Sequence, residues 1–193
     1  VRSAALPQRV TAPGATLELL VLASDGGGCA GVDIASGALV RAVYPERTSG
    51  RLAPFDLVVA PLGDLGEPDP ALPEAVELGR LPRLVGHLGA RRAERWLRPL
   101  LHPQGEPLLG FMGPAVQFWE LTGERPSMAV VEPRGGARVV RRPDGALRCR
   151  FLWRTLVVDL PLRAGPLPVA RRLLVALTPP RQGHCHKVVA ALL

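Results

Sequence analysis

The chain has 193 residues, 47% of them apolar and 21% charged, which is ordinary globular usage and excludes the low-hydrophobicity, high-charge composition of a disordered segment. Its formal charge of +7 rests on arginine, since Lys187 is the one lysine; a skew toward Ala, Arg, Gly, Leu, Pro and Val is what G+C-rich coding produces, yet the charge attracts nucleic acid, anionic lipid or an acidic protein whatever its origin. No run reaches the roughly 18 to 20 apolar residues of a membrane-spanning helix, and the opening residues lack a signal-peptide layout.

After a Pro- and Gly-bearing lead-in, Leu17 to Ala23 reads as a buried strand that stops at the turn Ser24-Asp25-Gly26-Gly27-Gly28. Cys29 to Ile34 and Ala38 to Tyr44 alternate on either side of Ala35-Ser36-Gly37 and predict a hairpin, with Phe55 to Leu62 as the fourth strand. Gly63 to Pro82 has the composition of an acidic surface loop. Leu84, Leu88, Trp96 and Leu100 are at mostly helical spacing with arginines between them, so a helix is expected over Leu84 to Leu101. The segment 102–127 is broken by Pro103, Pro107, Pro114 and Pro126 and reads as a packed connector. Met128 to Val131, Ala137 to Arg142 and Leu147 to Leu160 are extended, with Pro143-Asp144-Gly145 as a turn. Arg172 to Thr178 and Lys187 to Leu193 are the expected last strands, joined by the loop Pro179 to His186.

The fold class that follows is mainly β with one prominent helix. The ends resemble one another: Leu19 to Val32 and Leu173 to Val189 each show a strand, a Gly-bearing loop, a Cys and a returning strand. This permits two similar barrels, 1–79 and 128–193 with a helix and connector over 80–127, or one barrel whose first and last strands are neighbours. Cys29, Cys149 and Cys185 are an odd, sparse set, which suits reduced thiols in a cytoplasm. A chain that opens on Val1 rather than Met reads either as a trimmed chain or as a domain excised from a longer protein.

Phosphate loops, dinucleotide fingerprints, nucleophile elbows and zinc helices are missing from the sequence, and no cofactor is implied. Gly26-Gly27-Gly28 reads as a tight turn before it reads as an anion cradle, because no helix follows it. In His184-Cys185-His186-Lys187 an extended backbone puts both imidazoles on one face and the thiol opposite, but a closed zinc site needs about four ligands and no C-x-x-C pair supplies the rest. Asp25, Asp33, Asp56 and Asp159 are near strand ends without a base or metal partner in the sequence.

The binding candidates are basic. Arg91, Arg92, Arg95 and Arg98 stripe the helix. Arg138 and Arg142, and likewise Arg148 and Arg150, are at even spacings, so each pair shares a strand face with no opposing charge expected nearby. Lys187 is either a compact phosphate contact or an edge-strand lysine that discourages aggregation. Tyr44, Trp96, Phe111, Trp119, Phe151 and Trp153 are the available stackers, the last two more in the manner of core residues.

Cys29 to Val43 (CAGVDIASGALVRAV), following a strand and a Gly-rich turn, resembles the opening of the dual OB-like domain of bacterial conflict systems, a strand with a "G-x-C-x-A-G" string and a terminal "W-x-R-P-V" string. Gly27, Cys29, Ala30 and Gly31 match; Arg41 and Val43 fit loosely, and Leu39 or Val40 replaces the Trp. The family's ending, "S-L-G-x-x-x-x-G-x-x-Y-K-L-V-A", looks like Ala176-Leu177-Thr178 through Gly183 to His186-Lys187-Val188-Val189-Ala190, with His186 in place of Tyr. The resemblance implies two OB-like barrels and a role in recognising nucleic acid or another ligand within a larger defence-associated protein, without assigned catalytic residues. The readings to weigh are therefore a non-enzymatic nucleic-acid or anionic-ligand sensor, a protein-interaction module, and a small enzyme or metal protein around His184 to Lys187.

Overall fold

The structure, a computed structural model, describes residues 14–50, 52–64, 67, 69–123, 125–163 and 169–193. The lead-in before Gly14 and residues 65, 66 and 68 of the acidic loop lie outside the described residues. The fold is mainly β, with curled sheets and a single α-helix among those residues. Two compact units divide the chain: Val1–Asp69 with Pro73–Leu100, and Pro70–Leu72 with Leu101–Leu193.

In the first unit, β1 (Thr16–Asp25), β2 (Gly28–Asp33) and β3 (Leu39–Val43) form an antiparallel meander. Alternation drives it: Leu17, Leu19 and Val21 point inward to meet Cys29 and Ala42 in one apolar cluster. β4 (Asp56–Pro61) returns along β1, and β5 (Ala75–Glu77) runs parallel to β3. The curl closes where Leu62 bridges Leu78, the amide of Gly63 donates to the Glu77 carbonyl and that of Gly79 to Pro61. Around the ring the order is thus β1, β2, β3, β5, β4 and back to β1. β6 (Arg83–His87) adds to the other end of β4, and α1 (Ala90–Leu97) follows, burying Ala93 and Leu97.

The second unit repeats that connectivity with different strand lengths. β7 (Ala115–Gln117) precedes β8 (Met128–Val131) and β9 (Arg134–Arg141), which continue one another around Glu132-Pro133. β10 (Leu147–Trp153) and β11 (Leu156–Pro161) complete a meander with β9; β12 (Val169–Ala170) lies on the far side of β9. β13 (Leu173–Leu177) pairs with β8, and β14 (His184–Leu192) pairs with β13. β14 meets β11 in parallel at the Leu162–Val189 bridge. With β8 and β9 standing for β1, the ring of β10, β11, β14 and β13 matches β2, β3, β5 and β4 of the first unit.

Several expectations change. The helix is half its expected length because Arg83 to His87 is a strand on β4; Gly86 and Gly89 interrupt the helical pattern, and Leu84 and Val85 are exposed rather than packed. The acidic loop contains the three-residue β5. Leu147 to Leu160 is two strands, folded at Arg154-Thr155. The segment 80–127 is not a separate connector: β6 and α1 belong to the first unit, while Leu108, Leu109, Val116 and Leu121 fill the second unit's core. The similar ends are hairpins at non-equivalent places, since Leu19 to Val32 supplies the first two strands of one ring and Leu173 to Val189 the last two of the other. The closing strand begins at His184, three residues earlier than expected.

Candidate functional site

On β10 the buried residues are Cys149, Phe151 and Trp153, so Arg148, Arg150 and Leu152 point outward. Register places Arg138 of β9 directly opposite Arg150, and Asp159 of β11 opposite it on the other side. The expectation of an unopposed arginine face is therefore corrected. Arg148 Nε donates to Asp159 Oδ1 at 2.6 Å and Arg150 Nη2 to Oδ2 at 3.1 Å, while Arg148 Nη2 reaches the Asp159 carbonyl at 2.7 Å. The Arg148 hydrogen bond, ahead of that from Arg150, holds the Asp159 carboxyl below its ordinary range. Arg138 is exposed and makes no ion pair among the described residues. Arg142 sits exposed at the foot of the Pro143–Gly145 turn, where its amide and carbonyl bond Ala146 and Gly145.

Arg91 and Arg95 are exposed on α1 of the first unit, opposite its buried Ala93 and Leu97, with Arg95 stacked over Trp96 at 5.1 Å. They belong to a different unit from the hairpin arginines.

Lys187 is neither an edge residue nor a surface phosphate contact. β14 lies between β7 and β13, and the face that buries Cys185 also buries Lys187, only 4% exposed. Its Nζ donates to the Phe111 carbonyl at 2.7 Å and lies 3.8 Å from the Phe111 ring centroid. Burial pulls its pKa down to about 8. The lysine borders a cavity of about 280 Å³ lined mostly by apolar side chains.

His184 and His186 share the outer face as expected, their ring centroids 6.4 Å apart, and among the described residues no group of three or more metal-ligating side chains converges. Trp119 stands beside this pair, 61% exposed, with Gly183 beneath it and His184 at 6.5 Å. Phe151, Trp153 and Tyr44 are buried.

Three of the four carboxylates noted in the sequence hold their own turns. Asp25 accepts from the Gly27 amide at 2.9 Å. Asp33 accepts from the Ser36 amide and hydroxyl, and Asp56 from Ala53 with His87 Nδ1 at 3.0 Å. No described helix is long and apolar enough to cross a membrane. No known protein family, curated protein or solved structure matches this chain.

Proposed function

We propose that the chain is a non-enzymatic binding module that holds nucleic acid across the outer face of β9, β10 and β11. The observation that carries this reading is the Arg138–Arg150 pair: like charges directly opposite on an exposed sheet repel, and Asp159 offsets only Arg148 and Arg150. A polyanion laid over this face relieves the repulsion. The ring order of each unit supports the reading further, because a small barrel with its ligand on the second and third strands is the arrangement of OB-type domains, and β10 and β11 are those strands here. Trp119, exposed and packed on Gly183, is a stacking surface in the same unit. The proposed setting is a larger defence-associated protein, as the resemblance of the chain's two ends implies.

The test is fluorescence anisotropy of single-stranded and duplex DNA and RNA across a salt series. Affinity should fall steeply with salt, and Arg138→Ser should flatten the slope by about 0.7 for single strands. Asp159→Asn, which frees two guanidinium groups, should strengthen binding, whereas removing exposed Arg83 of the first unit should change little. Equal effects of Arg138 and Arg83 would reduce the interaction to net charge. A second reading, a protein-binding face, is favoured by Leu152 and Val157, which pair across β10 and β11 and are exposed beside the arginines; absence of nucleic-acid binding at low salt would leave that one standing.

A further inference from the structure

The cavity beside Lys187 shares Asp159 with the arginine face but none of its arginines. It opens where the second ring is weakest. β11 and β14 are parallel neighbours that meet at the Leu162–Val189 bridge and at the Arg163 amide, which donates to Val189. Toward the start of β14 the partner is the connector instead: β7 pairs with His184 to His186, and the Lys187 amide donates to Pro114. The space between β11 and this connector is the cavity.

Its floor is buried, made by Leu108, Trp153, Leu160 and Lys187, while Met112 and Val157 at its rim are 58% and 70% exposed. The polar groups around it are nearly all engaged. The Trp153 indole N–H donates to the Glu106 carbonyl at 2.9 Å, and the Asp159 carboxylate is held by Arg148 and Arg150. Lys187 is different: an ammonium has three donors, and among the described residues one protein acceptor, the Phe111 carbonyl, meets it. No carboxylate pairs with it among the described residues, and the other cation on the cavity wall is Arg154. A buried cation without a counter-charge is costly, and the cheapest remedy is an anion brought in by a ligand.

We infer that this cavity binds a small carboxylic acid with an apolar tail, its carboxylate on Lys187 Nζ and its tail along Trp153 and Leu160. The volume suits a short aliphatic or aromatic acid rather than a long-chain lipid. Because the lysine's pKa lies at about 8, the ammonium that meets the carboxylate is present at neutral pH and is lost above it. Of the other charged groups on the wall, Asp159 is engaged by Arg148 and Arg150, and Arg154 stands at the turn between β10 and β11.

The experiment is calorimetric titration of the whole chain with octanoate, with 1-octanol as the uncharged control. Octanoate should bind more tightly than octanol at pH 7 and lose that advantage as pH is raised past about 8. Lys187→Met keeps the stem and removes the charge; it should weaken octanoate binding roughly ten- to a hundredfold, the loss of one charge-assisted hydrogen bond, and leave octanol unchanged. No octanoate binding at millimolar concentration, or equal binding of octanoate and octanol by the wild type, overturns the inference. Should the Met variant fail to fold, the wild-type acid-to-alcohol ratio across pH decides alone. Nucleic-acid titration of the same variant separates the two sites, because the outer arginines are intact in it.

Discussion

The two units share a ring order but close it differently. In the first unit the closing strand is β5, three residues long, which pairs in parallel with β3 and touches β4 through the Leu62–Leu78 bridge. In the second it is β14, nine residues long, well paired with β13 but joined to β11 at one bridge. Among the described residues each ring therefore has one weak seam, on opposite sides of the closing strand. Leu62 and Leu78 are both buried at the first seam, so side chains seal it. At the second, the connector spans the gap and a cavity remains with a lysine in its wall. A ligand space can thus arise from where a common topology fails to complete its hydrogen bonding, without any change in strand order.

The largest expected effect breaks the contrast from the sealed side. Leu78→Ala should open at the first seam the kind of space that the second has by nature, at a cost of roughly 2–5 kcal/mol in urea denaturation. A loss below about 1 kcal/mol would mean that the leucine seal is not what closes the first ring.

Next comes the lysine itself. Its folded pKa of about 8 lies below its ordinary 10.5, so the sign is set: below pH 8 both states carry the proton, and between the two values only the unfolded chain keeps it. Stability should rise over that window by up to roughly 3 kcal/mol, relative to Lys187→Met. The comparison with the variant is needed because burial raises the Cys29 and Cys149 thiols to about 11. Those thiols ionise first in the unfolded chain and pull stability down as pH rises. Parallel pH curves for wild type and variant would show that Lys187 is not desolvated.

The smallest effect concerns the rim. Arg154 has a φ of +56° at the turn between β10 and β11, a conformation that glycine adopts without strain, so Arg154→Gly should be neutral or stabilising by up to about 1 kcal/mol. It should also leave octanoate bound, if Lys187 rather than Arg154 supplies the counter-charge.

That same turn explains much of what the sequence does and does not disclose. β1 to β4 are legible because their apolar residues alternate and glycine or aspartate marks the turns. Arg154-Thr155 carries none of those signals, so β10 and β11 read as one strand. Once the turn is known, counting outward from the Trp153–Leu156 pair puts Asp159 beside Arg150, and the apparent arginine face acquires its carboxylate. The burial of Lys187 was equally within reach. Cys185 is a natural core residue and Lys187 lies two positions on, on the same face of a strand. What hides it is the strand's early start within an apparent loop, together with the rarity of buried lysine. β5 is invisible for a different reason: three residues pairing in parallel with a distant strand leave no local pattern.

The thiols have a use that their chemistry alone does not suggest. None of the three is in a disulfide, and all are buried, Cys29 in the first unit's cluster and Cys149 and Cys185 in the second's. A thiol held protonated and out of reach is alkylated only when its surroundings open. The chain therefore carries a built-in clock for each unit, and the rate at which a reagent consumes Cys29 against Cys149 and Cys185 reports which ring breathes faster.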